Sequence, residues 1–403
     1  MSDQVNVAVL GFGARARRYV EAARNSLGDR MRVVAVADPD REGAAARLSA
    51  VGLSANVYAV PEGLIASERE IDGFIISSPD DCHLENFRAV AALGKPVLLE
   101  KPVEGNEGNF EAFVPELLAY KAPVLVGHCM RHAPILKKAK RLIDRGEVGR
   151  VASMRFVQNC AYGDVFFRSS WARRREVIGS LFLQKASHDF DIMHMLNDES
   201  YAESVFAFSK RFYFGGDEPN DLSCPDCSKQ AACPESLLNL RSMILGAPAS
   251  EVLRTGRDRC VWAQEADIGD DEMCMIEFEN GVHGSYIQTF YTPPNWSGRV
   301  YTVVGCEGIM NIDLGNDGRK DGGRITVVSR HGTRDDRSVY EFGYLNRIHY
   351  AGDEYLVRNF LNVIEGVEEP LSTIQGAVAA ERLGLAAMRS VQSRKLEPVN
   401  LSS

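Results

Sequence analysis

Three groups of residues in this chain have types and spacings that could do chemistry. The first is Gly11-Phe12-Gly13-Ala14-Arg15-Ala16, set between an apolar run at 5–10 and a helix-forming run at 14–25. At a strand-to-helix turn, Gly11 permits the tight bend, Gly13 lets the backbone approach a pyrophosphate, and Ala16 keeps helix and strand close. The helix start offers N–H groups and a positive dipole end to phosphate, so Gly11, Phe12, Gly13, Ala14 and Arg15 form a candidate dinucleotide cradle. Asp38 ends the next apolar run, 22 residues after Ala16. That is near the offset at which a carboxylate binds a ribose 2′-hydroxyl and repels a 2′-phosphate. NAD is therefore the expected cofactor, while Arg41 close by keeps NADP open.

The second group centres on Lys101 and His188. Lys101 stands just past an apolar run at 96–99, at the strand end where doubly wound sheets bind ligands. A lysine there can hydrogen-bond a substrate hydroxyl and, if burial lowers its pKa, exchange a proton with it. If residues 183–196 are helical, Gln184, His188 and Asp191 share one face, with Lys185 a quarter-turn aside. Lys185 is an alternative proton carrier, or it pairs with Asp189 four residues on.

The third group is Cys224-Pro225-Asp226-Cys227 followed by Cys233, three thiols in ten residues. Two cysteines separated by two residues suit one tetrahedral metal, and Cys260 is the candidate fourth ligand of a structural zinc ion. A redox disulfide between Cys224 and Cys227, three free thiols or an iron-sulfur cluster are the other readings.

The elements that must position these residues follow from hydrophobic periodicity. Apolar runs at 5–10, 32–37, 72–77, 96–99 and 123–126 alternate with helical stretches at 14–25, 41–49, 82–93 and 107–120. This order implies parallel crossover units and a doubly wound α/β Rossmann domain over 1–128. Beyond it, period-two runs at 151–158, 204–213, 271–279, 282–288 and 300–304 predict an α+β domain over 129–403 with an open, largely antiparallel sheet. Asn280-Gly281 marks a hairpin turn between two of these runs. The segment 215–249, rich in Gly, Pro, Asp, Ser and Cys, reads as an inserted loop. Helical stretches at 353–365 and 374–389 are expected to pack back on the first domain.

Composition narrows the function classes. The chain has 403 residues, 45% hydrophobic and 25% charged, which fits an ordinary globular protein of two or three domains. A net charge of -9 argues against nucleic acid and anionic membranes as partners. Residues 1–4 run straight into a strand without a signal-peptide pattern, and no run of ~18 apolar residues occurs. Nine scattered or loop-borne cysteines suit a reducing compartment, so a cytoplasmic location is expected. An open sheet with one uncovered apolar face predicts a homo-oligomer, dimer or tetramer.

Four further segments make the chain resemble the Gfo/Idh/MocA oxidoreductase family. They are Ser77-Ser78-Pro79-Asp80-Asp81-Cys82-His83, the stretch 94–102 ending in Glu100-Lys101-Pro102, the pair Gly127-His128-Cys129-Met130-Arg131 and Gly146-Glu147-Val148-Gly149, and the stretch 179–191. The resemblance implies NAD(P)-dependent hydride transfer at a ring carbon of a sugar, cyclitol or related polyol. It assigns Lys101 an acid/base or orienting role, and it places Ser78 and Pro79 along the cofactor. Glu100 would orient Lys101 or the nicotinamide, and His83 would pack near the nicotinamide half. Trp171 and Arg173 resemble an aromatic-basic pair that helps cover the cofactor; the run Arg173-Arg174-Arg175 could also bind an anionic group or be a solvated loop. In the family a histidine contacting the reacting hydroxyl has an acid four residues earlier and another three later. His188 and Asp191 match, while Gln184 departs and cannot ionise. Two other readings follow from the family: an NAD-dependent glycosidase working by transient oxidation, and a non-catalytic nucleotide- or sugar-sensing protein.

Overall fold

In the computed structural model the described residues are 4–237, 258–315, 322–333, 336–343 and 348–399. They divide into two units, Met1–Lys137 with Ile348–Glu381, and Lys138–Arg347 with Arg382–Ser402. The division falls nine residues beyond the expected position 128, and Ile348–Glu381 belongs to the first unit. The reason is local: the turn Cys129–His132 packs against the helix Gly352–Ile364, which itself lies on Ala14–Leu27.

The first unit is a six-stranded parallel sheet made of β1 (Val5–Leu10), β2 (Met31–Ala37), β3 (Asn56–Tyr58), β4 (Gly73–Ile76), β5 (Val97–Leu99) and β6 (Val124–Val126). The strand order is β3-β2-β1-β4-β5-β6, with the switch point between β1 and β4. Helices α1 (Ala14–Leu27), α2 (Arg41–Ala50), α3 (Pro61–Ser67), α4 (His83–Ala91) and α5 (Glu107–Ala119) supply the crossovers. β4, β5 and β6 are buried along their whole length. Strands covered on both faces read as continuous apolar runs, which is why the sequence reveals them. β3 and α3 escape periodicity because β3 is a three-residue edge strand beginning at exposed Asn56. Val7, Val9, Ile75, Leu98, Leu125 and Phe360 lie in one core cluster.

After α6 (Pro134–Asp144), the second unit builds a nine-stranded sheet. Its strands are β7 (Val151–Asn159), β8 (Ala202–Lys210), β9 (Asp271–Phe278), β10 (His283–Thr289), β11 (Gly298–Gly305), β12 (Gly308–Asp313), β13 (Gly323–Ser329), β14 (Arg337–Phe342) and β15 (Glu397–Pro398). They stand in the order β14-β13-β12-β11-β7-β10-β9-β8-β15. Only the β7–β10 pairing is parallel. β9 alternates strictly between buried and open positions, as a half-covered strand must. The expected hairpin forms between β9 and β10, with Gly281 at φ +78°. The short helices α7 (Asp164–Phe167), α8 (Arg175–Ile178), α9 (Leu181–Gln184) and α10 (Ser187–Leu196) lie between β7 and β8, and α11 (Gly352–Ile364) and α12 (Ile374–Ser393) follow the sheet. Of the inserted loop, 215–237 is described as turns and isolated bridges, and 238–249 lies outside the described residues. Among the described residues no helix is long and apolar enough to cross a membrane.

Candidate active site

The glycine turn sits at the β1–β4 switch point. Gly11 has φ +81°, and a Cβ there would stand 2.7 Å from the Ser78 backbone, so only glycine lets the two loops meet. Gly13 begins α1 with nothing within 4 Å of the position its Cβ would take. No side-chain hydrogen bond caps α1 and no acid occupies its first turn, so the helix supplies no anion of its own to these N–H groups. These features fit a dinucleotide pyrophosphate.

Asp38, the expected ribose partner, has a structural duty of its own. Its Oδ2 accepts the Phe12 N–H at 2.9 Å and its Oδ1 accepts the Asp40 N–H at 2.9 Å. Arg47, which the sequence reading missed, donates to the Phe12 carbonyl at 2.7 Å and approaches Asp38 at 3.3 Å and Asp40 at 3.1 Å. Arg41 donates to the Val57 carbonyl at 3.2 Å. Arg15 turns its guanidinium inward, to Glu100 at 2.7 Å and Asp353 at 3.0 Å. Its guanidinium is thus engaged by protein carboxylates.

Glu100 and Lys101 leave the C-terminal end of β5. Glu100 is buried, and its carboxylate accepts from Arg15, the Tyr19 hydroxyl and the Lys101 N–H. Burial alone would raise its pKa, but Arg15, Lys101 and Tyr19 outweigh burial and hold it low. Burial pushes the Lys101 ammonium down, offset in part by Glu100 and Asp80. Two groups fix the backbone around this lysine. His83 is fully buried, with Nδ1 3.0 Å from the Pro102 carbonyl and Nε2 3.2 Å from the Ser78 carbonyl. Glu381 of α12, also unforeseen, accepts the Val103 and Glu104 N–H groups at 2.6 and 2.8 Å. Ser78 accepts from Asn86 at 2.9 Å, which steadies the Ser78-Pro79 loop.

In the second unit the expected continuous helix over 183–196 is two helices, α9 and α10, broken at Lys185. Lys185 takes φ −126°, so Gln184 and His188 do not share one helical face. Both remain buried, as does Asp191. The Lys185–Asp189 pair does not form; Lys185 donates to the Tyr162 hydroxyl at 2.7 Å. Asp189 is instead the acceptor of a buried network: Arg299 at 2.9 Å, Tyr286 at 3.1 Å and Tyr301. Gln158 completes it, its amide nitrogen 3.2 Å from Asp189 and its oxygen 3.1 Å from Arg299 Nη2. This clamps the first turn of α10, which carries His188, onto β7, β10 and β11.

Arg173 is also reassigned. Its buried guanidinium binds Glu265, the Cys260 carbonyl at 3.1 Å and the Asn220 carbonyl at 2.7 Å, so it holds a loop and is neither solvated nor an anion receptor. Trp171 is 41% exposed. Cys224, Cys227, Cys233 and Cys260 are free thiols, so the Cys224–Cys227 disulfide is not formed. Among the described residues, no three of their sulfur atoms lie within 4.8 Å of one another.

Comparison with known proteins agrees with this geometry. Residues 5–127 match the GFO_IDH_MocA profile, described as an oxidoreductase family with an NAD-binding Rossmann fold, and residues 136–311 match the GFO/IDH/MocA C-terminal domain. The chain belongs to the GFO/IDH/MocA family. Within it, inositol 2-dehydrogenase 2 of Saccharopolyspora erythraea is 32% identical over 39% of this chain and 46% of its own length. The rhizopine catabolism protein MocA of Rhizobium meliloti is 29% identical over 52% of this chain and 62% of its own. The chain thus spans about half the length of the curated relatives it matches. A levoglucosan dehydrogenase, solved with NADH and levoglucosan, superposes at TM-score 0.75 over 98% of this chain and 100% of its own, at 17% identity. That likeness establishes the shared fold.

Proposed function

We propose that this GFO/IDH/MocA protein is an NAD-dependent dehydrogenase that moves a hydride between nicotinamide and a ring carbon of a sugar, cyclitol or related polyol. The observation that carries the reading is Lys101: an amine at the C-terminal end of a parallel strand, pushed toward its neutral form by burial and fixed by Glu100. NAD, when bound at the glycine turn, supplies the hydride acceptor. Lys101 takes the proton of the substrate hydroxyl during oxidation and returns it during reduction. His188 helps Lys101 at the reacting hydroxyl, and Gln184, Lys185 and Asp191 are the substrate-binding polar groups of the second unit. Because Gln184 cannot ionise, Lys101 carries the proton transfer without a carboxylate there. NAD is preferred over NADP because Asp38 sits at the end of β2 while Arg41 and Arg47 are engaged by protein groups. The names of the relatives put inositols and levoglucosan first among substrates to try.

The open face of the second sheet supports a homo-oligomer. Phe208 and Met275 are each 58% exposed there, with Met273, Val300 and Ile309 also open to solvent. Neighbouring apolar positions of this kind are uncommon on a monomer.

The test is nicotinamide absorbance of the purified protein with NAD and a panel of cyclitols, sugars and glycosides, in wild type and Lys101→Met. Sustained NADH formation that Lys101→Met abolishes, with NAD binding retained, supports the reading. Unchanged turnover in the variant, or product formed with no net redox change, overturns it.

A further inference from the structure

The cysteines of the inserted loop have no part in that reaction, yet the fold sets Cys224 and Cys227 near Cys260. Two isolated bridges, Glu218 with Ala263 and Ser223 with Arg259, join the loop to the segment after Asp258. The second is flanked by Cys224 N–H to the Asp258 carbonyl at 2.7 Å and Cys260 N–H to the Leu222 carbonyl at 2.9 Å. Cys224 and Cys260 therefore each follow a bridging residue on antiparallel segments, which makes them diagonal neighbours on one face. Cys224-Pro225-Asp226-Cys227 closes as a turn, with Cys227 N–H on the Cys224 carbonyl at 3.3 Å. Cys233 follows in a second turn, its N–H on the Lys229 carbonyl at 3.0 Å.

Hydrogen-bond donors stand beside two of these sulfurs. The Trp262 N–H hydrogen-bonds the Cys260 sulfur, and Cys224 and Cys227 lie close enough to act on it electrostatically. Arg168, itself buried, donates to the Cys224 sulfur at 3.4 Å while paired with Asp164 at 2.8 Å. Backbone and cationic donors around sulfur offset the negative charge of a multi-thiolate site.

We infer that Cys224, Cys227, Cys233 and Cys260 form a structural zinc site that fastens residues 215–237 to the segment beginning at Asp258. Zn²⁺ replaces the thiol protons, which leave to solvent, and side-chain rotation closes the sulfurs around the ion. Four thiolates leave no position for water, so the ion takes no part in hydride transfer. The site shares no residue with the dehydrogenase reading, and either can fail alone.

The test uses the full chain purified without chelator. Elemental analysis is expected to find about one zinc per chain, with four thiols that react with a thiol reagent only after a strong chelator is added. Cys227→Ser and Cys260→Ser each lose the zinc and become sensitive to protease within 215–237. Should these variants be insoluble, the wild-type metal content and thiol titration still decide. The proposal is overturned if the protein holds no zinc as purified and after incubation with Zn²⁺. Iron with acid-labile sulfide, or a Cys224–Cys227 disulfide by mass spectrometry, also overturns it.

Discussion

Replacing Arg299 with Met tests the clamp on α10. The Asp189 carboxylate is 0% exposed and its Arg299 partner 2% exposed, so solvent screens the pair very little. An exposed ion pair contributes about 0–1 kcal/mol. Removing one member of a buried pair costs about 3–5 kcal/mol, because the other charge stays buried without compensation. Here Asp189 would still accept from Tyr286 and Tyr301, which puts the expected cost at the lower end, about 3 kcal/mol. For a unit of this size that lowers the unfolding midpoint by roughly 6–12 °C. Trp171, Trp262 and Trp296, the chain's three tryptophans, all belong to the second unit, so their fluorescence on heating reads its unfolding directly. The double variant Asp189→Leu with Arg299→Met removes both charges and should recover most of the loss. A midpoint within about 2 °C of wild type for Arg299→Met would refute the argument, as would a double variant as unstable as the two single losses added together.

Lys101→Met should lower kcat by about 10²- to 10⁴-fold with NAD affinity unchanged. Since the neutral amine is the base, wild-type oxidation should rise with pH and level off below the ordinary lysine value of 10.5, a rise the variant lacks in its pH–rate profile. Asp38→Ala removes the acceptor of the Phe12 N–H and the proposed ribose partner, so NAD should bind about 10- to 150-fold more weakly by titration calorimetry. Glu272 is fully buried, takes hydrogen bonds from Ser209 and Gln288, and is pushed up to about 8 chiefly by burial. Its carboxyl stays protonated in the fold while the unfolded chain ionises near 4.5. Stability should therefore fall as pH rises from 4.5 to about 8 and then flatten, and Glu272→Gln should reduce that slope in denaturation curves taken across the window.

What the sequence makes legible is what is local. The glycine turn, Asp38 and Lys101 follow from strand-turn-helix order, because a βαβ unit fixes their relation within a few tens of residues. The six-strand sheet reads well because its central strands are buried on both faces, whereas the short edge strand β3 has too little pattern to register. The helix over 183–196 has the right periodicity and yet breaks at Lys185, since no Gly or Pro announces the kink. Several relocated or unforeseen side chains are ionisable groups whose partners lie far along the chain: Arg15 with Asp353, Asp189 with Arg299, Arg173 with Glu265, and Glu381, which burial pushes up, with the backbone of Val103 and Glu104. A signal does exist for such residues. Glu381 interrupts the apolar run of α12, and Asp189 lies among residues that the fold buries completely. An ionisable group inside an apolar stretch must be paired with a charge or be neutralised and hydrogen-bonded, because an uncompensated charge there would cost more than most single interactions return. The sequence can thus announce that a partner exists. Naming it requires the sheet register that sets β11 beside β7 and carries Arg299 to the helix bearing His188.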